Sequence, residues 1–431
     1  MSLKKNLLLM GSSTGVRLVA GLITISIVAR VLGPEMYGVL MLWMTTSAFT
    51  AMVTNYGLTS YVLREIGADP TQAERIINEG ITAKLILTSI VFTIAIIIAY
   101  LVALDNKLVF FTLLAASVSD SFSEFLNAGL RARNRFGIET RIATLGAILH
   151  AVIVISAVKA TQSVDITALG YFFSRFGILV VTTFAVGRYF VWPHITSLSA
   201  AIHRLRHTAK YAVDYAMQGM FGQIDSLVLN FSLGPEAVGL YQAGMRVFLT
   251  GNQAATVISN VFLPRVSAKT KSKELFTNES CKIQTVFILV GACFGLVLAV
   301  FAHQIVILLF GSKYLGLVEL MPFFGLLFFI RFSAGAWGVV LTAVGEQLYR
   351  TKVGIGFWVV TLLLAIFLVP EFEVRGWILS LCIGSLFLAI GYSFKAKNYL
   401  TKYWRIVGFT VVGAVLFLPF IFDWDQINAT F

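Results

Sequence analysis

LILTSIVFTIAIIIAYLVAL, at residues 85–104, is a continuous apolar run without a charged residue. An α-helix of this length is about 30 Å long at about 1.5 Å per residue, which matches the hydrocarbon thickness of a bilayer. The run shows no strict alternation of apolar and polar residues, so it favours a helix over a strand. A helix also satisfies its own backbone hydrogen bonds in hydrocarbon. The run therefore predicts a transmembrane helix.

Similar runs fill the rest of the chain. The 431 residues are 58% hydrophobic and 13% charged, whereas soluble domains carry about 25% charge. The expected spans are 8–32, 37–63, 80–104, 108–130, 141–158, 166–190, 210–232, 238–264, 283–310, 315–344, 352–370, 375–394 and 405–422. We predict an all-α polytopic membrane protein with 12–13 transmembrane helices, the thirteenth of which is peripheral to the main bundle or absent.

The basic residues lie in alternate short loops. A net charge of +12 would suggest a nucleic-acid partner in a soluble protein, but here it follows the positive-inside rule, and we expect no nucleic acid. With Lys4 and Lys5 in the cytoplasm, few basic residues fall on the opposite side. They are Lys107, Lys159, Lys313 and Arg375. The sequence thus predicts a cytoplasmic N-terminus.

No catalytic motif accompanies the spans. The sequence contains no GxxxxGK[ST] phosphate loop and no HExxH zinc motif. Cys281, Cys293 and Cys382 have no metal-binding spacing. The loops are too short for the large outer loop that an oligosaccharide polymerase or ligase would need. We expect neither an enzyme nor a metal site, and no cofactor.

An internal repeat divides the chain. LGPE occurs at 32–35 and again at 233–236, each time between two predicted spans and followed by a glycine. Because six spans separate the copies, the two halves share one orientation, which predicts a pseudo-two-fold axis along the membrane normal. The alternative is chance, since Gly-Pro turns are common. We therefore expect a six-helix lobe at 1–192, a cytoplasmic linker at 193–209, a second six-helix lobe at 210–394, and a basic loop with an extra helix at 395–431.

Several polar residues lie inside the predicted spans, where they are costly and usually face a cavity or a partner. The candidate cavity residues are Arg17, Thr24, Arg175, Gln218, Arg246, Gln253 and Arg331. Three acids are candidates for coupling to an ion: Asp120, Glu124 and Asp225. A central arginine costs about 2.5–3.5 kcal/mol on insertion scales, which implies an anionic guest or a buried acid. Asp120 and Glu124 are equally compatible with ion pairs to Arg17 or Arg175 that hold helices together.

Three longer segments resemble a known family. They are KNLLLMGSSTGVRLVAGLITISIVARVLGPEMYGVL at 5–40, NYGLTSYVLREIG at 55–67 and QIDSLVLNFSLGPEAVGLYQAGMRV at 223–247. Together they resemble polysaccharide-biosynthesis flippases of the Wzx type, in the multidrug/oligosaccharidyl-lipid/polysaccharide exporter superfamily. The resemblance covers about 400 residues in order. One difference is that family members commonly have twelve or fourteen spans, whereas thirteen are counted here.

The resemblance implies two six-helix lobes around a central cationic cavity, working by alternating access. It implies transfer of an undecaprenyl-pyrophosphate-linked oligosaccharide to the outer leaflet of a prokaryotic cytoplasmic (inner) membrane. Glycosyltransferases and a polysaccharide polymerase are the protein partners that this activity suggests, and coupling to H⁺ or Na⁺ would supply energy. Two alternatives stay open: a cation-coupled multidrug exporter, which expects an acid-dominated cavity, and a lipid II flippase, which expects fourteen spans.

Overall fold

The computed structural model describes residues 3–101, 106–133, 135–189, 192–220 and 223–401. Within these ranges the chain is α-helical, with short 3₁₀ turns and no strand, which confirms the all-α fold. It forms two compact units, Met1–Phe231 and Ser232–Phe431, called unit 1 and unit 2 below.

Fifteen α-helices occupy the described residues. In order they are α1 Leu3–Leu32, α2 Pro34–Asn55, α3 Leu58–Ala68, α4 Ala73–Leu101, α5 Lys107–Ala132, α6 Phe136–Thr161, α7 Val164–Tyr189, α8 Leu198–Met220, α9 Ile224–Leu233, α10 Pro235–Ser267, α11 Lys273–Val300, α12 Ala302–Leu309, α13 Leu315–Val318, α14 Met321–Ala343 and α15 Gln347–Ala396. Helix α9 runs across the boundary between the units.

The helices overlap twelve of the predicted spans, but those at 210–232 and 238–264 are not among the described stretches long and apolar enough to cross a membrane. The thirteenth span, 405–422, lies outside the described residues. By length and composition, nine helical stretches of the described chain are able to cross a membrane. One of them, Gln347–Tyr399, is a helical hairpin: α15 breaks at Glu373, where φ is 51°. Its two arms are antiparallel, because the Tyr349 hydroxyl donates to the Gly391 carbonyl at 3.0 Å. These stretches make the protein a multi-pass membrane protein.

The start of this hairpin is fixed by an acid just before α15. The Glu346 carboxyl accepts a hydrogen bond of 2.6 Å from the Tyr399 hydroxyl, and the Lys395 ammonium lies 3.0 Å away. The hydrogen bond and the positive charge both favour the ionised form, so they lower the pKa of Glu346. The carboxylate thus ties the beginning of the hairpin to its end.

The division between the units differs from the expected one. We expected a linker at 193–209, but α8 begins at Leu198 and belongs to unit 1, and the chain divides after Phe231. The reason is a buried ion pair: Arg204 of α8 donates from Nε to Glu79 of α4 at 2.8 Å. Segment 192–197 is also fixed to α4, because the backbone N–H of Thr196 donates to the Thr82 hydroxyl at 2.9 Å.

The two LGPE copies adopt the same local structure. Gly33 has φ 82° and ψ 170°, and Gly234 has φ 88° and ψ −177°. In each copy the glycine precedes a helix whose first residue is the proline, a position where proline costs no hydrogen bond. This backbone region is almost exclusive to glycine. The shared geometry supports a structural repeat over chance, and the pseudo-two-fold relation stays a prediction.

Each unit contains one helix that is buried along most of its length. In unit 1 it is α5 and in unit 2 it is α14, whereas the other candidate spans bury less than half of their residues. These two are the fourth and tenth predicted spans, again six apart. In α14, Phe328 stacks on Phe332 with ring centroids 4.3 Å apart and contacts Phe294 of α11 at 4.4 Å. Packing of aromatic rings around α14 builds the core of unit 2.

We expect alanine at Gly33 or Gly234 to destabilise the protein by about 1–3 kcal/mol, because alanine resists this backbone conformation. The melting temperature of the purified protein in detergent would measure the effect. Gly21→Ala in unit 1 and Gly354→Ala in unit 2 are matched controls, since both glycines have open space where the new methyl group would lie. Equal melting temperatures for all four variants would contradict the role assigned to these turns.

Candidate functional site

The structure brings two of the candidate residues of unit 1 into direct contact. The Arg175 guanidinium of α7 donates from Nη1 to Oδ1 of Asp120 on α5 at 2.9 Å. The side chains are 35% and 54% exposed, so the pair is open to its surroundings. Arg175 therefore has the internal acid partner that the sequence left as one alternative. The pair also joins α7 to the buried helix of the unit.

The surroundings of Arg175 are polar on a second side. On α6, His150 accepts or donates a hydrogen bond of 2.7 Å between Nδ1 and the hydroxyl of Ser174, the neighbour of Arg175. The ring also lies edge-on to Tyr171 at 4.9 Å. His150 is thus a packed, hydrogen-bonded residue at this junction.

Arg17 and Thr24 lie on α1 in different surroundings. Arg17 is exposed, next to Val19, which is also exposed. Thr24 is buried, and its hydroxyl donates to the Ala20 carbonyl at 2.7 Å. That arrangement uses the hydroxyl within its own helix and does not favour contact with a ligand. Of this pair, Arg17 is the residue that remains accessible.

The other two candidate acids, both in unit 1, differ in exposure. Glu124 lies one turn beyond Asp120 on α5 and is exposed. Asp225 is buried at the start of α9. Its neighbour Ser226 is within hydrogen-bond distance of the Thr45 hydroxyl of α2, at 3.2 Å. Asp225 thus lies at a buried polar contact between α9 and α2. Gln218 belongs to α8, but its side chain lies outside the described part of the structure.

Unit 2 holds the other three candidates. Arg246 and Gln253 lie on α10 two turns apart, which places them on one face of the helix. Arg246 is half-buried, its Nε is shielded, and this atom has no hydrogen-bond partner among the described residues. Gln253 is exposed. Arg331 of α14 is half-buried, and its guanidinium lies 4.7 Å from the ring centroid of Phe357, a cation–π contact.

Two charged residues that shape unit 1 were not identified as interior groups from the sequence. Lys84 was not among the candidate cavity residues, yet it is fully buried. Arg204 was placed in a linker, yet it is buried against Glu79 and Tyr61. The signal for Lys84 was its position inside the apolar run that begins at Gly80. For Arg204 the signal was weaker, because its partner is far away in sequence.

The chain matches known sequences over much of its length. Residues 27–319 match the sequence model of a family described as polysaccharide biosynthesis protein. CapF of Staphylococcus aureus, a capsular polysaccharide biosynthesis protein, is 26% identical over 196 residues, which is 44% of this chain and 49% of the relative. The chain thus aligns with about half the length of this curated relative.

Solved structures share the fold. The lipid II flippase MurJ, in an inward closed conformation, superposes with a TM-score of 0.74 at 12% identity, over 97% of this chain and 100% of MurJ. An inward-facing MATE multidrug transporter of the MOP superfamily superposes with a TM-score of 0.68 at 16% identity, over 91% of this chain and 95% of that structure. These similarities show a shared fold, and the match to the polysaccharide biosynthesis family confirms the family resemblance that the sequence motifs indicated.

If the Asp120–Arg175 pair holds α5 and α7 together, Asp120→Asn and Arg175→Gln should each lower the melting temperature. Each leaves an uncompensated charge, whereas the double variant leaves none. We therefore expect the double variant to be more stable than the sum of the single effects, with a coupling energy of about 0.5–3 kcal/mol.

Lys159→Gln is the control for this cycle, since Lys159 is an exposed cation at the end of α6. Strictly additive effects of the two substitutions would show that the pair contributes nothing, and would leave Arg175 available to a ligand.

Proposed function

We propose that this chain, which belongs to the polysaccharide biosynthesis protein family, is a flippase for an undecaprenyl-pyrophosphate-linked oligosaccharide. It would move this lipid from the cytoplasmic to the outer leaflet of the cytoplasmic membrane, with its N-terminus inside. The two units would act as the two lobes of an alternating-access transporter with a cationic substrate path. Glycosyltransferases would supply the substrate, and a polymerase would consume it.

The observation that carries the proposal is the family match combined with the state of Arg246. Arg246 is half-buried, so its side chain keeps some access to an added acceptor, while its Nε is shielded and has no hydrogen-bond partner among the described residues. Among the described residues, no carboxylate lies within 4.0 Å of this group. Diphosphate oxygens are acceptors that guanidinium groups bind in bidentate fashion.

Arg331 supports the same role in unit 2. Its guanidinium lies over the aromatic face of Phe357, and a guanidinium is a group that recognises phosphate. Gln253, exposed two turns after Arg246, offers an amide suited to sugar hydroxyls. Arg17 is the exposed cation of unit 1 that would serve the same path.

Energy for directional movement would come from H⁺ or Na⁺. Of the three acids considered, Asp120 is engaged by Arg175 and Glu124 is exposed, whereas Asp225 is buried. Intramembrane ionisable groups of this kind mark ion and proton paths in transporters. We therefore assign ion coupling to Asp225.

The solved neighbours suggest a competing activity. One is a MATE multidrug transporter, so a cation-coupled multidrug exporter is the second candidate. The other is a lipid II flippase. The arginines among the candidate cavity residues, Arg246 and Arg331 in unit 2, favour an anionic over a cationic substrate. All these neighbours are transporters, consistent with a transport function for this chain.

We expect Arg246→Gln and Arg331→Gln each to reduce flipping at least tenfold, which corresponds to about 1.4 kcal/mol of lost interaction with the diphosphate. Proteoliposomes loaded with a lipid-linked oligosaccharide would report flipping as loss of access to a membrane-impermeant lectin. Arg265→Gln is the matched control, being an exposed arginine at the end of the same helix α10. Full activity in both test variants would refute the anion-binding role.

Cells that express the protein should not expel cationic dyes. We expect ethidium accumulation to equal that of cells lacking the protein, because a cationic path repels a cationic drug. Surface polysaccharide should be lost when the gene is deleted and restored by the intact chain. Strong dye efflux with normal surface polysaccharide would favour the multidrug alternative.

A further inference from the structure

Lys84 is the one lysine that the described structure places fully in the interior of a unit. It lies on α4, and its side chain is 0% exposed. Burial of an ammonium costs several kcal/mol unless hydrogen bonds and opposite charge compensate for it. The side chain therefore requires specific partners in the interior of unit 1.

Two oxygen atoms hold the ammonium. Nζ donates to the Thr54 carbonyl of α2 at 2.9 Å and to the Ser121 hydroxyl of α5 at 2.8 Å. The Thr54 hydroxyl completes the cluster, 3.5 Å from the Ser121 hydroxyl. Hydrogen bonds from a charged donor are stronger than those between neutral groups. These two account for part of the burial cost.

The Thr54 carbonyl is a special acceptor because it belongs to the last turn of α2. The helix ends at Asn55, and the next two residues, Tyr56 and Gly57, have φ of 47° and 68°. The last carbonyls of a helix lack partners within the helix and carry its negative partial charge. A cation from a neighbouring helix thus satisfies an acceptor that would otherwise be buried alone.

Aromatic faces complete the surroundings. Nζ lies 5.1 Å from the ring centroid of Phe122 and 5.8 Å from that of Phe125, both within cation–π range. No carboxylate among the described side chains lies within 4.0 Å of the ammonium.

The charge is therefore held by a carbonyl, a hydroxyl and ring faces and not by an ion pair. Carbonyl oxygens hold monovalent cations in channels in the same way, by replacing their hydration shell. We propose that unit 1 contains an internal monovalent-cation site, formed by the end of α2 and by Ser121, Phe122 and Phe125 of α5. The Lys84 ammonium fills this site as a tethered cation.

The cation site itself does not depend on the proposed function. Only its consequence for transport rests on that function. A tethered cation cannot leave, so this position carries a fixed charge while the substrate moves. An inorganic ion that drives transport would have to bind elsewhere, for which Asp225 was assigned above. The site itself would also fix the break between α2 and α3.

The experiment empties the site and refills it. Lys84→Ala removes the ammonium and opens a cavity about the size of the lysine side chain. We expect the melting temperature of the purified full-length variant in detergent to fall, and propylammonium chloride to raise it again in a saturable manner. Propanol, a neutral molecule of similar size, should not do so. The wild-type protein and the control Lys107→Ala, an exposed lysine at the start of α5, should not respond to propylammonium.

Lys84→Met keeps the volume and removes the charge. We expect it to melt below the wild-type protein and to ignore propylammonium, because its cavity is filled. If Lys84→Ala does not fold, the melting temperatures of Lys84→Met and the wild-type protein still test the proposal. A methionine variant as stable as the wild type, or equal recovery by propanol and propylammonium, would overturn the proposal. Melting requires no transport substrate, so a failure of the flipping assay leaves this result unaffected.

Discussion

Charge inside hydrocarbon must be compensated by groups of the same protein, because the bilayer offers none. Unit 1 meets this requirement in three ways that also join its helices. Glu79 of α4 binds Arg204 of α8, and Asp120 of α5 binds Arg175 of α7. Lys84 of α4 donates to the end of α2. Each contact forms only when both helices are rotated to bring the two side chains together. These charges therefore help to determine how the helices of unit 1 pack.

Unit 2 is built differently. Its central helix α14 packs through rings, with Phe324 close to Gly244 and Phe328 close to Gly251. Gly325 lies so near the Gly295 carbonyl that an added methyl group would be 2.4 Å from its oxygen. Small residues and ring contacts of this kind drive helix association where no hydrophobic effect operates between helices. The two copies of the repeat thus share their turn and their buried central helix, and they differ in the chemistry of their interiors.

The sequence predicted helices well because the length of an apolar run is set by the membrane and not by tertiary contacts. It also predicted the LGPE turns, since glycine and proline impose their backbone locally. The sequence did not predict the partners of the charged residues. Asp120 was compatible with both Arg17 and Arg175, and only the rotation of the helices selects Arg175. The sequence also did not predict that segment 193–209 packs against α4, for a related reason. From the sequence alone Arg204 is typical of a loop residue, because its partner Glu79 lies 125 residues earlier in the chain.

The pairing pattern also decides which cations can serve an anionic substrate. Arg175 is matched by Asp120, so its field at a distance is that of a dipole and attracts a diphosphate weakly. Lys84 is enclosed and cannot contact a ligand. Arg246 has no such acid partner among the described residues, and the guanidinium of Arg331 lies over the ring of Phe357. On the proposed function, a diphosphate would therefore draw on Arg246 of unit 2, because Arg175 and Lys84 are held by contacts within unit 1.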